Sequence, residues 1–559
     1  MRIPIPALLG MTLTLSSLPA FAQPQPEPAA PSAPAPAPAP APVDEAPPPP
    51  PPPGAPAPTL SAPPPPASPV FPTGAEAAVA VEQAPLAGWR GVFFLRAADD
   101  MLRLYPQGRL HLDFHSFFGG GVDRLAPSQG GNALRAQLFA RRVRLELGGE
   151  LMRRWSFMMG VDFGGQPLAN STGTGVSASP RPGEDPTLEA PPWAPVQAAS
   201  PTAVLANNWI NYRALPVLNL MLGQFLAPYS LENMTTSNDT LMLERVMPIR
   251  SFVIPNNREI GLMAWGELPN RLASYYLGVF SGEGPNRPGV DSLPAYIGRI
   301  TARPFAMKKG SPLERAQIGV SALHAEHDQG FVGSDYPRIS TGQFVTLWEP
   351  RYQDAQGGFV HVIPSGAQNA IGGELWLPIR DFDLRAEAHY VVHNTRESPA
   401  GFQLNNTERL GQVRGLGWYA ALSFWLGDAY VNGEPGLGSR PVQLNLAEDT
   451  PVRKGVQLAA VIGGVHASYD GASRGGPYDA RTPGAPGGPG TDITVMQYGA
   501  AVNYWYTRHL RLTLNYNAYQ TPGSGTAENL ARVPGNNLVE PIPDAHFIHE
   551  LGGRVGVQF

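Results

Sequence analysis

The chain contains no cysteine, which removes disulfide scaffolds, thiolate metal sites and cysteine nucleophiles together. Lysine is nearly absent as well: Lys308, Lys309 and Lys454 are the only three, against 37 arginines. Charged residues make up 15% of the chain and the formal net charge is −5, so nothing in the electrostatics suggests nucleic acid as a partner. Mean hydropathy is −0.16, and no apolar run of about 18 residues occurs beyond the N-terminus, which excludes a helical membrane protein. There is no phosphate-cradling Walker sequence and no dinucleotide-binding fingerprint, and no cofactor or metal is expected. Glycine (62) and proline (64) are abundant instead, beside 43% hydrophobic residues.

Residues 1–22 open with one positive charge at Arg2, run through an apolar stretch over 7–18 and end on Ala20, Phe21 and Ala22. The small residues sit where a signal peptidase cuts, so a secretory signal peptide is expected. Residues 23–88 then read as a Pro/Ala-rich spacer, with 24 prolines among the 50 residues from 23 to 72. Proline fixes φ and removes an amide donor, so this spacer builds no core and is expected to be disordered, locally polyproline II. At about 3.1 Å per residue it spans roughly 150 Å when extended, enough to approach peptidoglycan. Residues 89–559 are expected to form one domain.

From about Leu102 the chain alternates apolar and polar residues in segments of about ten, bounded by Gly, Pro, Asn and Asp. Leu110, Leu112 and Phe114 alternate with Arg109, His111, Asp113 and His115. Val143, Leu145 and Leu147 alternate with Arg142, Arg144 and Glu146. Trp155, Phe157, Met159, Val161 and Phe163 oppose Ser156, Gly160 and Asp162. Leu384, Ala386, Ala388 and Tyr390 alternate with Arg385, Glu387 and His389, and Leu510, Leu512, Leu514 and Tyr516 with Arg511, Thr513, Asn515 and Asn517. Further strands are expected over 218–225, 260–266, 275–280, 296–303, 317–325, 417–426, 456–462 and 497–506, with weaker ones over 207–213, 343–348, 358–362 and 372–377.

Alternation alone fits a soluble sandwich or a membrane barrel. Four features favour the barrel. Arginines and acids share the polar faces, as a water-filled lumen requires, and aromatic residues (Trp155, Phe163, Tyr390, Tyr516) lie near strand ends, as interfacial girdles do. The last strand carries Leu551, Val555, Val557 and the terminal Phe559 on one face, which resembles the recognition signal of outer-membrane barrels. Short and long connections alternate: a tight turn separates Glu150 from Arg154, but about 40 residues rich in Gly, Pro, Ser and Thr follow Gly164. At roughly 25 to 30 residues per strand and loop, the fold expected is all-β, a transmembrane antiparallel barrel of about sixteen strands in the outer membrane of a Gram-negative bacterium.

Arg141, Arg142, Val143, Arg144, Leu145 and Glu146, followed by Trp155, Ser156 and Phe157, begin a wider resemblance. It is densest at Leu222-Gly223-Gln224-Phe225, Pro228-Tyr229-Ser230-Leu231-Glu232, Thr236-Ser237-Asn238-Asp239, Glu244-Arg245 and Arg258-Glu259-Ile260-Gly261. It continues in Leu277-Gly278-Val279-Phe280-Ser281-Gly282 and Trp425-Leu426-Gly427. In these residues the chain resembles the phosphate-selective porin O and P family of outer-membrane channels. The resemblance implies a sixteen-stranded, trimeric, passive channel in which the segment after Gln224 folds into the barrel as a constriction loop. Arg245, Arg250 and Arg258, with Asn238 and Asp239, are then the expected constriction residues. Family members named for phosphate use lysines and a ladder of arginines there. This loop has no lysine and holds Glu232, Asp239, Glu244 and Glu259, which supports a porin more strongly than a phosphate channel.

Arg109, Arg142, Arg144, Arg299, Arg303, Arg385 and Arg511 stand opposite apolar residues and are expected on the lumenal wall, where guanidiniums can pass anions along. The competing reading is that Arg142, Arg144 and Glu146 neutralise one another as structural charges. Enzyme signals are weak: Gly471-Ala472-Ser473-Arg474-Gly475 matches a nucleophile pattern but lies in a glycine-rich stretch, and the pairs His324/His327 and His546/His549 fall on opposite strand faces. The function expected is passive diffusion of small hydrophilic solutes with a preference for inorganic anions. A non-conducting barrel tethered to the cell wall, or a barrel enzyme, is the alternative.

Overall fold

Sixteen antiparallel strands pair in sequence order, and the last pairs with the first, so the sheet closes. The computed structural model describes residues 85–118, 136–164, 203–251, 257–286, 293–327, 339–342, 346–348, 351–353, 359–397, 409–428, 433–438, 440–441, 454–473, 493–520 and 547–559. The expected signal peptide, and the spacer up to residue 84, lie outside the described residues. The barrel strands are β1 Leu102–Phe118, β2 Gln137–Leu151, β3 Trp155–Asp162, β4 Val204–Leu215, β5 Leu218–Leu226, β6 Arg258–Glu267, β7 Ala273–Phe280 and β8 Ala295–Ala302. They continue as β9 Gln317–His327, β10 Phe359–Ile379, β11 Phe382–Glu397, β12 Arg409–Gly427, β13 Gly455–Ser473, β14 Ile493–Thr507, β15 Leu510–Gln520 and β16 Phe547–Gln558. A short hairpin, Ala87–Trp89 against Phe93–Arg96, leads in and pairs with the start of β1 through Leu95 and Leu104.

Period two decides which face each residue takes. On β1, Leu110, Leu112 and Phe114 are exposed on the outside while His111, Asp113 and His115 are buried inside. The same split runs through β15, with Leu512 and Leu514 outside and Arg511, Thr513 and Asn515 inside. Aromatic pairs mark both ends of the outer wall. Trp155 meets Tyr212 and Phe382 meets Phe424 at one end; at the other Phe118 and Tyr516 stack with His549, and Tyr296 with His324. Such girdles belong at the two membrane interfaces.

The connections alternate in length. Residues 152–154, 216–217, 268–272, 380–381 and 508–509 turn at one end, where the chain also enters and leaves the barrel. Met152, Arg153 and Arg380 take positive φ there, as such tight reversals require. Two connections at this end are longer, 303–316 and 428–454, and the second carries part of the site. The weak segments 358–362 and 372–377 prove to be one strand, β10. Its alternation is interrupted where the register shifts between Pro364 and Gln368, with Gly366 at φ 74°. Of the weak segment 343–348 the described part is the short strand Thr346–Trp348, which pairs with Ile339–Ser340 outside the barrel ladder.

The chain end is built into the wall. Phe559 exchanges both backbone hydrogen bonds with Gly108 (3.0 and 3.1 Å), and its ring lies where any Cβ on Gly108 would stand. Gly108→Val should therefore displace the terminal ring and lower the yield of folded barrel. Heat-modifiable migration on a denaturing gel checks this: an unchanged folded band means the ring moves aside without consequence.

Candidate functional site

Between β5 and β6 the chain turns inward. The part of this segment that is described, residues 227–251 and 257, is buried almost throughout. Its apolar side chains Leu241, Met242, Val246 and Ile249 pack on Tyr419, Ala421, Ala459, Val461 and Ala501 of β12, β13 and β14. The wall there is made of small residues, which is why a second layer fits. A Cβ at Gly499 would stand 2.7 Å from the Met242 methyl, and one at Gly552 2.7 Å from Leu243. One helical turn, α1 (Met247–Arg250), ends the segment.

The segment's backbone polar groups are taken by the barrel wall, as buried amides require. The Glu387 carboxylate accepts from the amides of Leu231 (2.9 Å) and Glu232 (2.8 Å) and from the Tyr419 hydroxyl (2.7 Å). Asn515 accepts from the Leu243 amide (2.8 Å) and Gln497 from the Met247 amide (2.7 Å). Arg511 donates to the carbonyls of Asn238 and Thr240, both at 2.8 Å, and Arg554 donates to that of Leu243 (2.6 Å).

One loop carboxylate organises the charges. Glu244 takes a bidentate bond from Arg142 (2.9 and 3.0 Å), and single bonds from Arg141 (3.2 Å), Arg250 (2.7 Å) and Arg554 (2.9 Å). Arg554 is also bidentate to Asp113 (2.7 and 2.6 Å). Two adjacent arginines reach one carboxylate because the β1–β2 register slips between His111 and Leu112. That bulge takes Arg141 out of the ladder register and turns it inward beside Arg142. Four guanidiniums around two carboxylates leave this cluster formally positive.

The segment's tip faces a polar rim on the wall. Arg109 donates to Ser237 (2.8 Å) and lies 3.6 Å from Glu146, and its Nε has no hydrogen-bond partner. Glu146 accepts from Asn207 (3.4 Å), whose carbonyl accepts from Arg258 Nε (3.0 Å). Asn238 is hydrogen-bonded to His111 (3.1 Å) and to Gln558. Asp239 accepts from Thr236 (3.2 Å) and from the amide of Gly433 (2.9 Å). Arg109, Arg258, Asn207, Asn238 and Asp239 stay partly exposed, whereas most of the segment is buried.

The other sequence-expected residues also lie inside, each with partners. Arg245 donates to the carbonyls of Glu232 (3.0 Å), Asn233 (3.0 Å) and Thr235 (2.6 Å), so it holds the segment's own fold. Arg250 lies against Glu244. Arg144 pairs with Asp162 (2.5 Å), Arg299 is bidentate to Glu374 (2.8 and 2.7 Å), and Arg385 pairs with Asp383 (2.9 Å). Arg303 follows β8 and donates to a second inserted element through Glu434 (2.9 Å).

That element was not legible in the sequence. Residues 433–438 and 440–441, between β12 and β13, enter from the short-turn end as a strap and meet the first segment. Gly436 donates to the Thr235 hydroxyl (3.0 Å) and Gly438 to the Met234 carbonyl (2.7 Å), while Arg299 donates to the Gly436 carbonyl (2.8 Å). Gly436 and Gly438 take φ of 72° and 63°, a region that favours glycine. Glu434 accepts from Arg303 (2.9 Å), Arg315 (3.2 Å) and Arg271. The signal that could have pointed here is the length of a connection at the end where five others take two to five residues.

Burial works to raise the Glu434 carboxyl, and the guanidiniums of Arg303, Arg271 and Arg315 outweigh it, holding it down to about 2 against an ordinary 4.5. A depressed carboxyl stabilises the folded contact fully above its ordinary pKa and loses that contribution as pH falls through the lower value. The amides of Gly433, Gly436 and Gly438 should therefore keep constant, intrinsic-rate-corrected exchange protection from pH 5 to 8 and lose it only below about pH 3. Protection lost between pH 6 and 5 would contradict the assignment.

Gly471, Ala472 and Ser473 end β13 as barrel strand. His324 faces outward on Asn369 (2.8 Å), while His546 lies outside the described residues. Among the described residues no group of three or more His, Asp or Glu side chains is placed to hold a metal ion.

A search of curated proteins gives no match. Among solved structures the chain is similar to OmpT, an outer membrane protein of Vibrio cholerae, at 7% identity, with 83% of this chain and 99% of that one covered and a TM-score of 0.43. It is similar to the outer membrane channel DcaP of Acinetobacter baumannii at 11% identity, with coverages of 82% and 97% and a TM-score of 0.41. It is also similar to an anion-selective porin from Comamonas acidovorans at 10% identity, with coverages of 82% and 100% and a TM-score of 0.41. The family model for phosphate-selective porin O and P matches residues 107–425, more than half of the chain. A closed barrel with an inserted, arginine-rich segment and a match of that extent lead to one conclusion: the chain belongs to the phosphate-selective porin O and P family, outer-membrane porins of Gram-negative bacteria.

Proposed function

We propose that this porin prefers anions, and that small hydrophilic anions pass the rim formed by Arg109, Arg258, Asn207 and Asn238. One observation carries the reading. At the rim the carboxylates are engaged, Glu146 by Asn207 and Arg109 and Asp239 by Thr236 and Gly433, while the guanidinium side chains of Arg109 and Arg258 stay partly exposed. A passing oxyanion therefore meets donors rather than competing acceptors, and guanidinium donors match its geometry. The net positive cluster around Glu244 lowers the barrier for an anion further.

Phosphate itself is the less supported cargo, because the inserted segment has no lysine and carries its own carboxylates. The homotrimer that the family resemblance implies belongs to the same proposal, as does a periplasmic proline-rich arm touching the cell wall. Replacing chloride by progressively larger anions at fixed potassium tests the reading in planar bilayers. Current should fall stepwise with anion size. A current indifferent to the anion would mean that potassium carries it. Deleting the arm should leave conductance unchanged and abolish association with peptidoglycan.

A further inference from the structure

The periplasmic mouth holds a second guanidinium cluster, separate from the rim. Arg271 lies in the β6–β7 turn, and Arg303 and Arg315 stand at the two ends of the β8–β9 connection, so two connections at the periplasmic end converge on the strap. Arg303 and Arg315 both lie against the Trp376 ring, 5.4 and 5.2 Å from its centroid, which fixes their planes. Arg271 is also 3.3 Å from Glu267, which pairs with Arg440 (2.6 Å). Four guanidiniums thus face two carboxylates here. Only one of those carboxylates, Glu434, comes from the strap, and it is the one that touches all three of Arg271, Arg303 and Arg315.

The strap's remaining attachments are three glycine amides on Asp239, Thr235 and Met234, the Gly436 carbonyl on Arg299, and Arg440, which pairs with Glu267 and donates to the Tyr276 hydroxyl. Glu434 is its acidic anchor and Arg440 its basic one, and the glutamate sits in a pocket whose donors would suit any small oxyanion.

We propose that Arg271, Arg303 and Arg315 form an oxyanion site at the periplasmic mouth, that Glu434 occupies it as a tethered carboxylate, and that a permeating phosphate or carboxylate displaces Glu434 and lifts the strap. The inference deepens the anion-porin reading and rests on it for its physiological meaning. A tethered group competes at an effective concentration in the millimolar range, so the site is closed at low anion and yields as anion accumulates. The strap lies against Asp239 and Thr235, so its release also frees the rim.

Binding of inorganic phosphate to the folded full-length protein in detergent, measured by titration calorimetry, tests the site without relying on conduction. Glu434→Gln should bind phosphate at least tenfold more tightly than the wild type, and Glu434→Gln with Arg303→Gln should lose that gain. Acetate in place of phosphate tells a general oxyanion site, with the same order of affinities, from one that takes phosphate alone. Equal phosphate affinity in the wild type and Glu434→Gln would overturn the proposal.

The strap itself is tested by a lock. A Cβ at Gly433 would lie 3.2 Å from Asp239 Cγ, close to the spacing a disulfide needs, and the native chain has no cysteine to interfere. Asp239→Cys with Gly433→Cys should conduct at least fivefold less when oxidised than after reduction. Equal conductance in the two redox states would overturn the strap's role. Channels absent in every form, with the calorimetric order intact, would instead overturn the porin reading and leave the oxyanion site standing.

Discussion

Glu244→Ala should loosen the inserted segment from the barrel wall and raise single-channel conductance. The substitution strands Arg141, Arg142, Arg250 and Arg554, all packed around one carboxylate, and breaking a buried pair from one side costs about 3–5 kcal/mol. Burial of Leu241, Met242, Val246 and Ile249 works the other way at about 1.5–3 kcal/mol each, an upper bound given a compact reference state. The apolar patch therefore holds the segment more strongly than the carboxylate does. The single change should make the segment protease-sensitive near Arg245 and Arg250 without expelling it, and full release should need Met242→Asp as well. Limited trypsin digestion of the intact barrel reads the first effect, and conductance reads the second. A segment as resistant as the wild type, with unchanged conductance, would remove Glu244 from its organising role.

Arg109→Gln together with Arg258→Gln should shift selectivity toward potassium by a factor on the order of ten, because these are the two partly exposed guanidiniums at the rim. Glutamine keeps a polar amide donor while removing the charge, so a change in zero-current potential at unchanged conductance reports electrostatics and not collapse. Arg245→Ala is expected to behave differently. Its donors hold three carbonyls of the segment, so its loss should unfold the segment and change conductance together with selectivity. An unchanged potential in the double glutamine variant would move the selective step away from the rim.

The fold was legible because a bilayer outside and water inside impose period two on every strand. Leu110, Leu112 and Phe114 against His111, Asp113 and His115 already give the two faces of β1, and the sixteen-strand count follows from chain length. Strand β10 was read as two weak pieces because Pro364 and Gly366 break the alternation at a register shift. The site was legible only in part. An arginine shows its face in the sequence but not its partner. Arg142 and Arg299 look like rungs for anions until Glu244 and Glu374, 102 and 75 residues away, are seen beside them. Glu244 could be counted as a loop carboxylate but not recognised as the hub of four guanidiniums, because a bulge in β2 sets that arrangement. The strap escaped altogether: Glu434 sits in a glycine-rich stretch without periodicity, and its partners lie 119 to 163 residues away.

The zero-current potential of the purified wild-type channel under a potassium chloride gradient in a planar bilayer tests the central claim most directly. The account predicts a potential of the sign set by chloride, reduced when Arg109 and Arg258 are neutralised. A potential of the sign set by potassium would contradict it.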